Sequence, residues 1–264
     1  MKIGIFDSGL GGLIITHALK ESLGRYDYLY FGDTANLPYG NKTKDQIYEY
    51  TKKALGYLFE NDCKLVIVAC NSASADALRR IQQDFIPNNW PDRKALGVLI
   101  PSAEVAVRSG KKIGIICTAA TAESGAFDRE ITKLSKNAEL VSKATPELVE
   151  HIENGDMDRA HGQLEKYLDG MIDQGIDTLV LGCTHYPVIK TKARELMGEA
   201  VNVVSQDEII AEKLIDYLAR HSEIEKHLGK AKSMRFVVTK KTAQGEVFAT
   251  KLFGEAIKLN LVKL

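Results

Sequence analysis

The chain repeats itself. KIGIFDS at 2–8 matches KIGIICT at 112–118, an offset of 110. KLVIVACNSAS at 64–74 matches DTLVLGCTHYP at 177–187, an offset of 113. One match of this kind carries little, because apolar strands resemble one another. Two strand-plus-turn units recurring in the same order at nearly the same offset indicate two related halves. Each half then holds a strand that runs into a cysteine followed by a polar residue, at Cys70-Asn71 and Cys183-Thr184.

The pattern between these units fixes the fold class. Short Val- and Ile-rich runs at 2–6, 26–31, 64–69, 95–100, 111–116 and 177–182 read as buried strands, with weaker candidates at 138–142 and 201–204. Helical patterns fill the spaces at 43–61, 73–85, 158–174 and 206–221. Strands alternating with helices predict parallel sheets covered on both faces, an α/β doubly wound class. Gly97 and Pro101 punctuate the chain between the repeats. The tail adds a strand-like RFVVT at 235–239 and a final helix from 246, too little for a domain of its own. The expected units are therefore 1–97 plus 207–264, and 98–206, facing each other about a pseudo-two-fold axis.

With 264 residues, 45% hydrophobic, the chain can bury a sizeable core without staples. Its 35 basic residues equal its 35 acidic ones. That balance gives no electrostatic case for nucleic acid or an anionic membrane and leaves a small molecule as the expected partner. No apolar run approaches the roughly 20 residues of a spanning helix, and MKIGIFDSGLGG lacks the pattern of a signal peptide. The expected location is the cytoplasm. There Cys63, Cys70, Cys117 and Cys183, widely spaced and without a CxxC pair, should be free thiols rather than zinc ligands or disulfides.

Ligands of parallel α/β sheets bind at the carboxyl ends of the strands. Four motifs fall there: Asp7-Ser8, Cys70-Asn71, Cys117-Thr118 and Cys183-Thr184-His185. A free cysteine is usually a small buried hydrophobe. Cys70 and Cys183 differ in lying just past a strand, with hydrogen-bonding residues after them. Two thiols approaching one carbon from opposite faces suit racemisation, in which a proton leaves one face and another arrives at the opposite one. Asp7 either caps the following helix or serves Cys70 and the substrate ammonium. GLGG at 9–12 permits close backbone approach and does not match the dinucleotide fingerprint. His185 is a structural histidine or the proton partner of Cys183. The remaining histidines have no comparable setting. NLPYG at 36–40 is a surface loop or an aromatic wall built on Tyr39. Thr118 and Thr121 cap a helix or bind a carboxylate. Cys63, before a strand, and Cys117 read as structural.

Taken together, IGIFDSGLGGL, YFGDTANLPYGNKT, VIVACNSASA, GVLIPSAEVA, IGIICTAATAES and LVLGCTHYP resemble the glutamate racemases of the aspartate/glutamate racemase superfamily, over nearly the whole chain. The resemblance implies two α/β domains with the site in the cleft between them. It implies interconversion of L- and D-glutamate without cofactor or metal, in a bacterium that builds D-glutamate into peptidoglycan. By the same resemblance, Cys70 serves D-glutamate with Asp7 assisting, and Cys183 serves L-glutamate with His185 assisting. Ser8, Pro38, Tyr39, Gly40, Asn71, Ser72, Thr118, Thr121 and Thr184 map onto substrate-binding positions. Pro146, Val149, Glu153 and Gly155 match a P-x-x-V-x-x-x-E-x-G motif and make Glu153 the cleft glutamate.

Three positions depart from that pattern. Ser72 replaces a threonine, Cys117 replaces a glycine, and Val204-Ser205-Gln206 stands where D-S-G is usual. The first two bear on glutamate preference, so a racemase of aspartate or a related amino acid is the alternative. A non-catalytic flavodoxin-like module using DSGLGG as an anion loop is a remoter one. A phosphotransfer enzyme on Asp7 lacks the partner acid, since position 9 is glycine. The oligomeric state, a homodimer included, leaves no mark in the sequence.

Overall fold

The computed structural model describes residues 1–263. Its strands are β1 (Lys2–Asp7), β2 (Tyr28–Gly32), β3 (Cys63–Val68), β4 (Lys94–Gly97), β5 (Lys112–Cys117), β6 (Glu139–Ala144), β7 (Thr178–Gly182), β8 (Asn202–Val204), β9 (Met234–Val238) and β10 (Leu259–Leu261). They form two sheets, ordered β10-β9-β2-β1-β3-β4 and β6-β5-β7-β8. Every pairing is parallel. Helices cover both faces of the central strands, so every residue of β3 and β7 is buried, and their only polar residues, Lys64 and Thr178, lie at the strand starts.

The repeat is visible in the topology and in the register. The order β2-β1-β3-β4 recurs as β6-β5-β7-β8. Phe6 of β1 pairs with Val68 of β3, and Ile116 of β5 pairs with Leu181 of β7. These are the same two positions displaced by the sequence offsets. In each sheet the chain leaves the first strand on one side and returns on the other, so a crevice opens at the carboxyl ends of β1 and β3 and again at those of β5 and β7.

The chain passes between the sheets twice. The helix Leu99–Ser109 carries it from β4 to β5, and the helix Gln206–Arg220 carries it from β8 back to β9. The returning tail places β9 beside β2 and β10 at the sheet edge. Apolar clusters fill both faces of each sheet.

Four local expectations need correction. The strand expected over 95–100 stops at Gly97, and a helix starts at Leu99 with Pro101 in its first turn, where the missing N–H costs nothing. The helix expected over 73–85 begins at Asn71 and is interrupted by a π-helical turn at Ile81–Phe85. The last helix runs Ala243–Phe253, capped by the Thr242 hydroxyl and ended by Gly254 at φ +83°, and the unforeseen β10 follows. Cys63 opens β3 rather than preceding it.

Candidate active site

The four strand-end motifs converge. Asp7 closes β1 and is fully buried. Its Oδ2 accepts the Gly9 N–H at 3.0 Å, and its Oδ1 accepts the Thr184 hydroxyl at 3.2 Å. Thr184 belongs to the other half, so this bond spans the crevice. Burial raises the Asp7 pKa above the ordinary carboxyl range, opposed by the His185 charge and by the Gly9, Gly12 and Thr184 donors.

Cys70 sits two residues past β3, buried at the start of the helix Asn71–Asp76. Its thiol donates to the Ser8 hydroxyl at 3.4 Å. Burial, and then the nearby Asp7 charge, push the thiol up to about 12. Both effects favour the neutral thiol at Cys70. Its partner by contact is Ser8, and Asp7 acts on it through charge.

Cys183 follows β7 directly and is also buried. His185 Nδ1 stands 3.8 Å from its sulfur, and His185 Nε2 stands 2.8 Å from Glu153 Oε1. Burial works against a charged ring, yet the bonds to Cys183 and Glu153 and their negative charge hold the His185 pKa well above the ordinary imidazole range. Glu153 ends the helix Leu148–Glu153 and is half-buried. A chain of titratable groups thus runs from the Cys183 sulfur through His185 and Glu153 toward solvent.

The glycines of the first turn explain how closely the halves approach. A Cβ on Gly11 would lie 2.6 Å from His185 Nδ1 and 2.7 Å from Thr184 Oγ1. A Cβ on Gly12 would lie 2.6 Å from the Asp7 Cβ. Only hydrogen atoms fit there.

Hydroxyls line the opposite wall. Thr118 caps the helix Ala119–Ser124, and its Oγ1 lies 2.9 Å from Ser72 Oγ and 3.0 Å from Thr121 Oγ1. Ser72 comes from the first half and the two threonines from the second. Three hydroxyls in mutual contact across the crevice form a cluster able to turn its protons toward an anionic oxygen. Gly40 packs against Thr118, where a Cβ would meet the threonine Cβ at 2.8 Å. The Tyr39 ring is buried, but its hydroxyl donates to Asp33 Oδ2 at 2.7 Å. Tyr39 is therefore a wall of the site with its donor already engaged. Pro38 is exposed at the head of that turn.

Two buried residues escaped the sequence reading. Asp33 follows β2 and accepts from Tyr39, from Asn36 at 3.0 Å and from Thr239 at 2.8 Å, tying the NLPYG turn to the end of β9. As a polar residue just past an apolar strand, it met the same criterion as Asp7. Gln206, at the start of the second crossing helix, exchanges two hydrogen bonds with Asn71. Cys63 and Cys117 are buried in the cores of their halves, and all four thiols are free. Among the described residues no group of three or more His, Cys, Asp and Glu is arranged to hold a metal ion, and no helix is long and apolar enough to cross a membrane.

Two parallel α/β halves with a buried polar crevice where their strand ends meet define a class, the two-domain α/β enzymes. Within it, the chain belongs to the Asp/Glu/Hydantoin racemase family, whose sequence model matches residues 11–214. A glutamate racemase of Roseobacter denitrificans is 37% identical over 235 residues, covering 84% of this chain and 86% of that one. The solved structure of a glutamate racemase isoform from Bacillus anthracis superposes with a TM-score of 0.90 at 29% identity, covering 100% of this chain and 97% of the other. A glutamate racemase of Francisella tularensis, solved in complex with D-glutamate, gives a TM-score of 0.88 at 28% identity over 99% of this chain and 97% of its own.

Proposed function

We propose that the protein interconverts L- and D-glutamate by a cofactor-independent, two-base proton transfer at Cα, and so supplies D-glutamate for peptidoglycan in the cytoplasm. The observation that carries this reading is the pair of thiols at equivalent strand ends, each with its own polar partner. Cys70 has Ser8 and the Asp7 charge, and Cys183 has His185 backed by Glu153.

In the direction from L-glutamate, the Cys183 thiolate takes the α-proton while the Cys70 thiol gives one to the opposite face. Cys183 is left as thiol and Cys70 as thiolate. His185 passes its proton through Glu153 to solvent and then takes the one left on Cys183, while Cys70 regains one from the Asp7 side, which restores the starting state. In the direction from D-glutamate the roles exchange. The substrate carboxylates are the expected ligands of the Ser72, Thr118 and Thr121 hydroxyls, with Asn71, Ser8 and Thr184 completing the shell and Tyr39 and Gly40 forming its wall. The two halves that form the crevice are 1–97 with 207–264, and 98–206. Every residue in this scheme comes from one chain, so the chemistry requires no partner copy.

The test is racemisation of L-glutamate by the purified protein, followed by circular dichroism with reductant present and L-aspartate run in parallel. Cys70→Ala and Cys183→Ala should each abolish racemisation and leave the folded spectrum unchanged. Racemisation at the parent rate by either variant refutes the two-base scheme. Activity on aspartate alone moves the substrate to the neighbouring acid, in line with the Ser72 and Cys117 departures.

A further inference from the structure

We infer that Gln206 is a positioning residue for the substrate site, setting the orientation of the Asn71 amide from the two segments that join the halves. The inference rests on the proposed racemase reading, which places Asn71 next to substrate.

Asn71 directly follows Cys70 and is buried. Its Nδ2 donates to Gln206 Oε1 at 3.0 Å, and Gln206 Nε2 donates back to Asn71 Oδ1 at 2.8 Å. A reciprocal amide pair of this kind is ambiguous on its own, because turning both amides over gives the same two bonds. A third residue breaks the tie. Ser102 lies in the first crossing helix, and its hydroxyl donates to the Val98 carbonyl at 2.8 Å. A hydroxyl has one proton. With that proton given to Val98, Ser102 Oγ can only accept, and it accepts from Gln206 Nε2 at 3.1 Å. The nitrogen of Gln206 must therefore face Ser102 and Asn71 Oδ1. The Asn71 nitrogen must in turn face Gln206 Oε1, which leaves its second N–H as the donor not used in the pair.

The network has a fixed direction, from Asn71 and Gln206 through Ser102 to the Val98 carbonyl. Gln206 and Ser102 are as buried as Asn71, so water does not compete for these bonds. Val98 and Ser102 belong to the crossing from β4 to β5, and Gln206 opens the crossing from β8 to β9. The orientation of a side chain beside Cys70 is thus set at the two segments that join the halves.

The experiment compares parent, Gln206→Met, Gln206→Glu and Ser102→Ala in glutamate racemisation, with thermal midpoints measured on the same preparations. Methionine keeps the volume and removes all three hydrogen bonds of the Gln206 amide. Glutamate keeps an acceptor for Asn71 and cannot donate when ionised. The expected result is a KM raised roughly tenfold in both Gln206 variants, about what one misdirected hydrogen bond to a charged substrate is worth, with kcat within about threefold of the parent. Ser102→Ala should move KM the same way by less, because the amide pair survives but loses its direction. A merely structural Gln206 would lower the thermal midpoint and the active fraction, and so kcat, while leaving KM alone. That outcome overturns the inference, as does a parent-like KM in both Gln206 variants. If Gln206→Met fails to fold, Ser102→Ala and Gln206→Glu decide by the same KM criterion. A parent protein inactive on glutamate and aspartate refutes the functional reading itself, a result separable from an active parent with unmoved variants.

Discussion

Replacing Gly11 with alanine should disable the Cys183 side of the site with a single methyl group. The backbone there does not object: Gly11 has φ −57° and ψ −34°, which any residue adopts. It is the N-cap of the helix Gly12–Leu23, a position where alanine is no better than glycine. The obstacle is space. The new Cβ would stand 2.6 Å from His185 Nδ1, 2.7 Å from His185 Cε1 and 2.7 Å from Thr184 Oγ1, where ordinary contact begins at 3.4 Å. Nδ1 is the ring atom that faces the Cys183 sulfur, and Thr184 Oγ1 is the donor to Asp7. Restoring contact distance requires the ring to retreat by roughly 0.8 Å, against a bond to Glu153 at 2.8 Å on its far side. Displacements near 1 Å at a reacting group cost on the order of a hundredfold in rate. Overpacking by one methyl group costs about 1–3 kcal/mol of stability, which a domain of this size can absorb. The variant should therefore stay folded with kcat/KM down roughly hundredfold. The assay is racemisation from each enantiomer by circular dichroism. The two enantiomers have equal free energy, so kcat/KM must fall equally in both directions. The side affected is read instead from primary isotope effects, which should rise more for α-deuterated L-glutamate than for the D-enantiomer. A variant within about threefold of the parent in kcat/KM would show that the ring yields freely and that its placement matters little.

Glu153→Gln removes the charge that helps hold His185 protonated, so the alkaline limb of kcat/KM should move to lower pH. The sign follows from the direction of the shift: a raised folded pKa contributes stability fully present below the unfolded value of about 6.5 and lost as pH rises through the folded one. The variant keeps less of that contribution, so its thermal midpoint should fall below the parent's most near about pH 6, and the gap should close toward about pH 10. Coincident limbs would place the His185 proton outside the reaction. Gly162→Ala, inside the helix Met157–Ile172 with nothing within 4 Å of the added Cβ, should stabilise the protein by about 0.5–1 kcal/mol and leave racemisation unchanged. A lowered thermal midpoint would contradict the open space seen there.

What the sequence discloses and what it withholds divide along a physical line. The strand-end residues Asp7, Cys70, Cys117 and Cys183 were legible because a parallel strand buried on both faces writes itself as an apolar run, and its carboxyl end is where polar residues resume. The repeat was legible because both halves keep the same register, Phe6 with Val68 and Ile116 with Leu181. Asp33 was legible by the same rule, as the first polar residue after β2, although no motif around it marks a chemical role. The short β10 was not legible, because three residues are too few to show a period. Gln206 lies at the other extreme. Glutamine at a helix start reads locally as an exposed polar residue, and its partners Asn71 and Ser102 stand 135 and 104 residues away. The contacts that complete the site, Thr184 to Asp7, Ser72 to Thr118 and Gln206 to Asn71, all join residues of different sheets or the crossings between them. Local pattern specifies each half. How the halves dock depends on side chains that meet only after both have folded, and the orientation of the groups around Cys70 and Cys183 is set there.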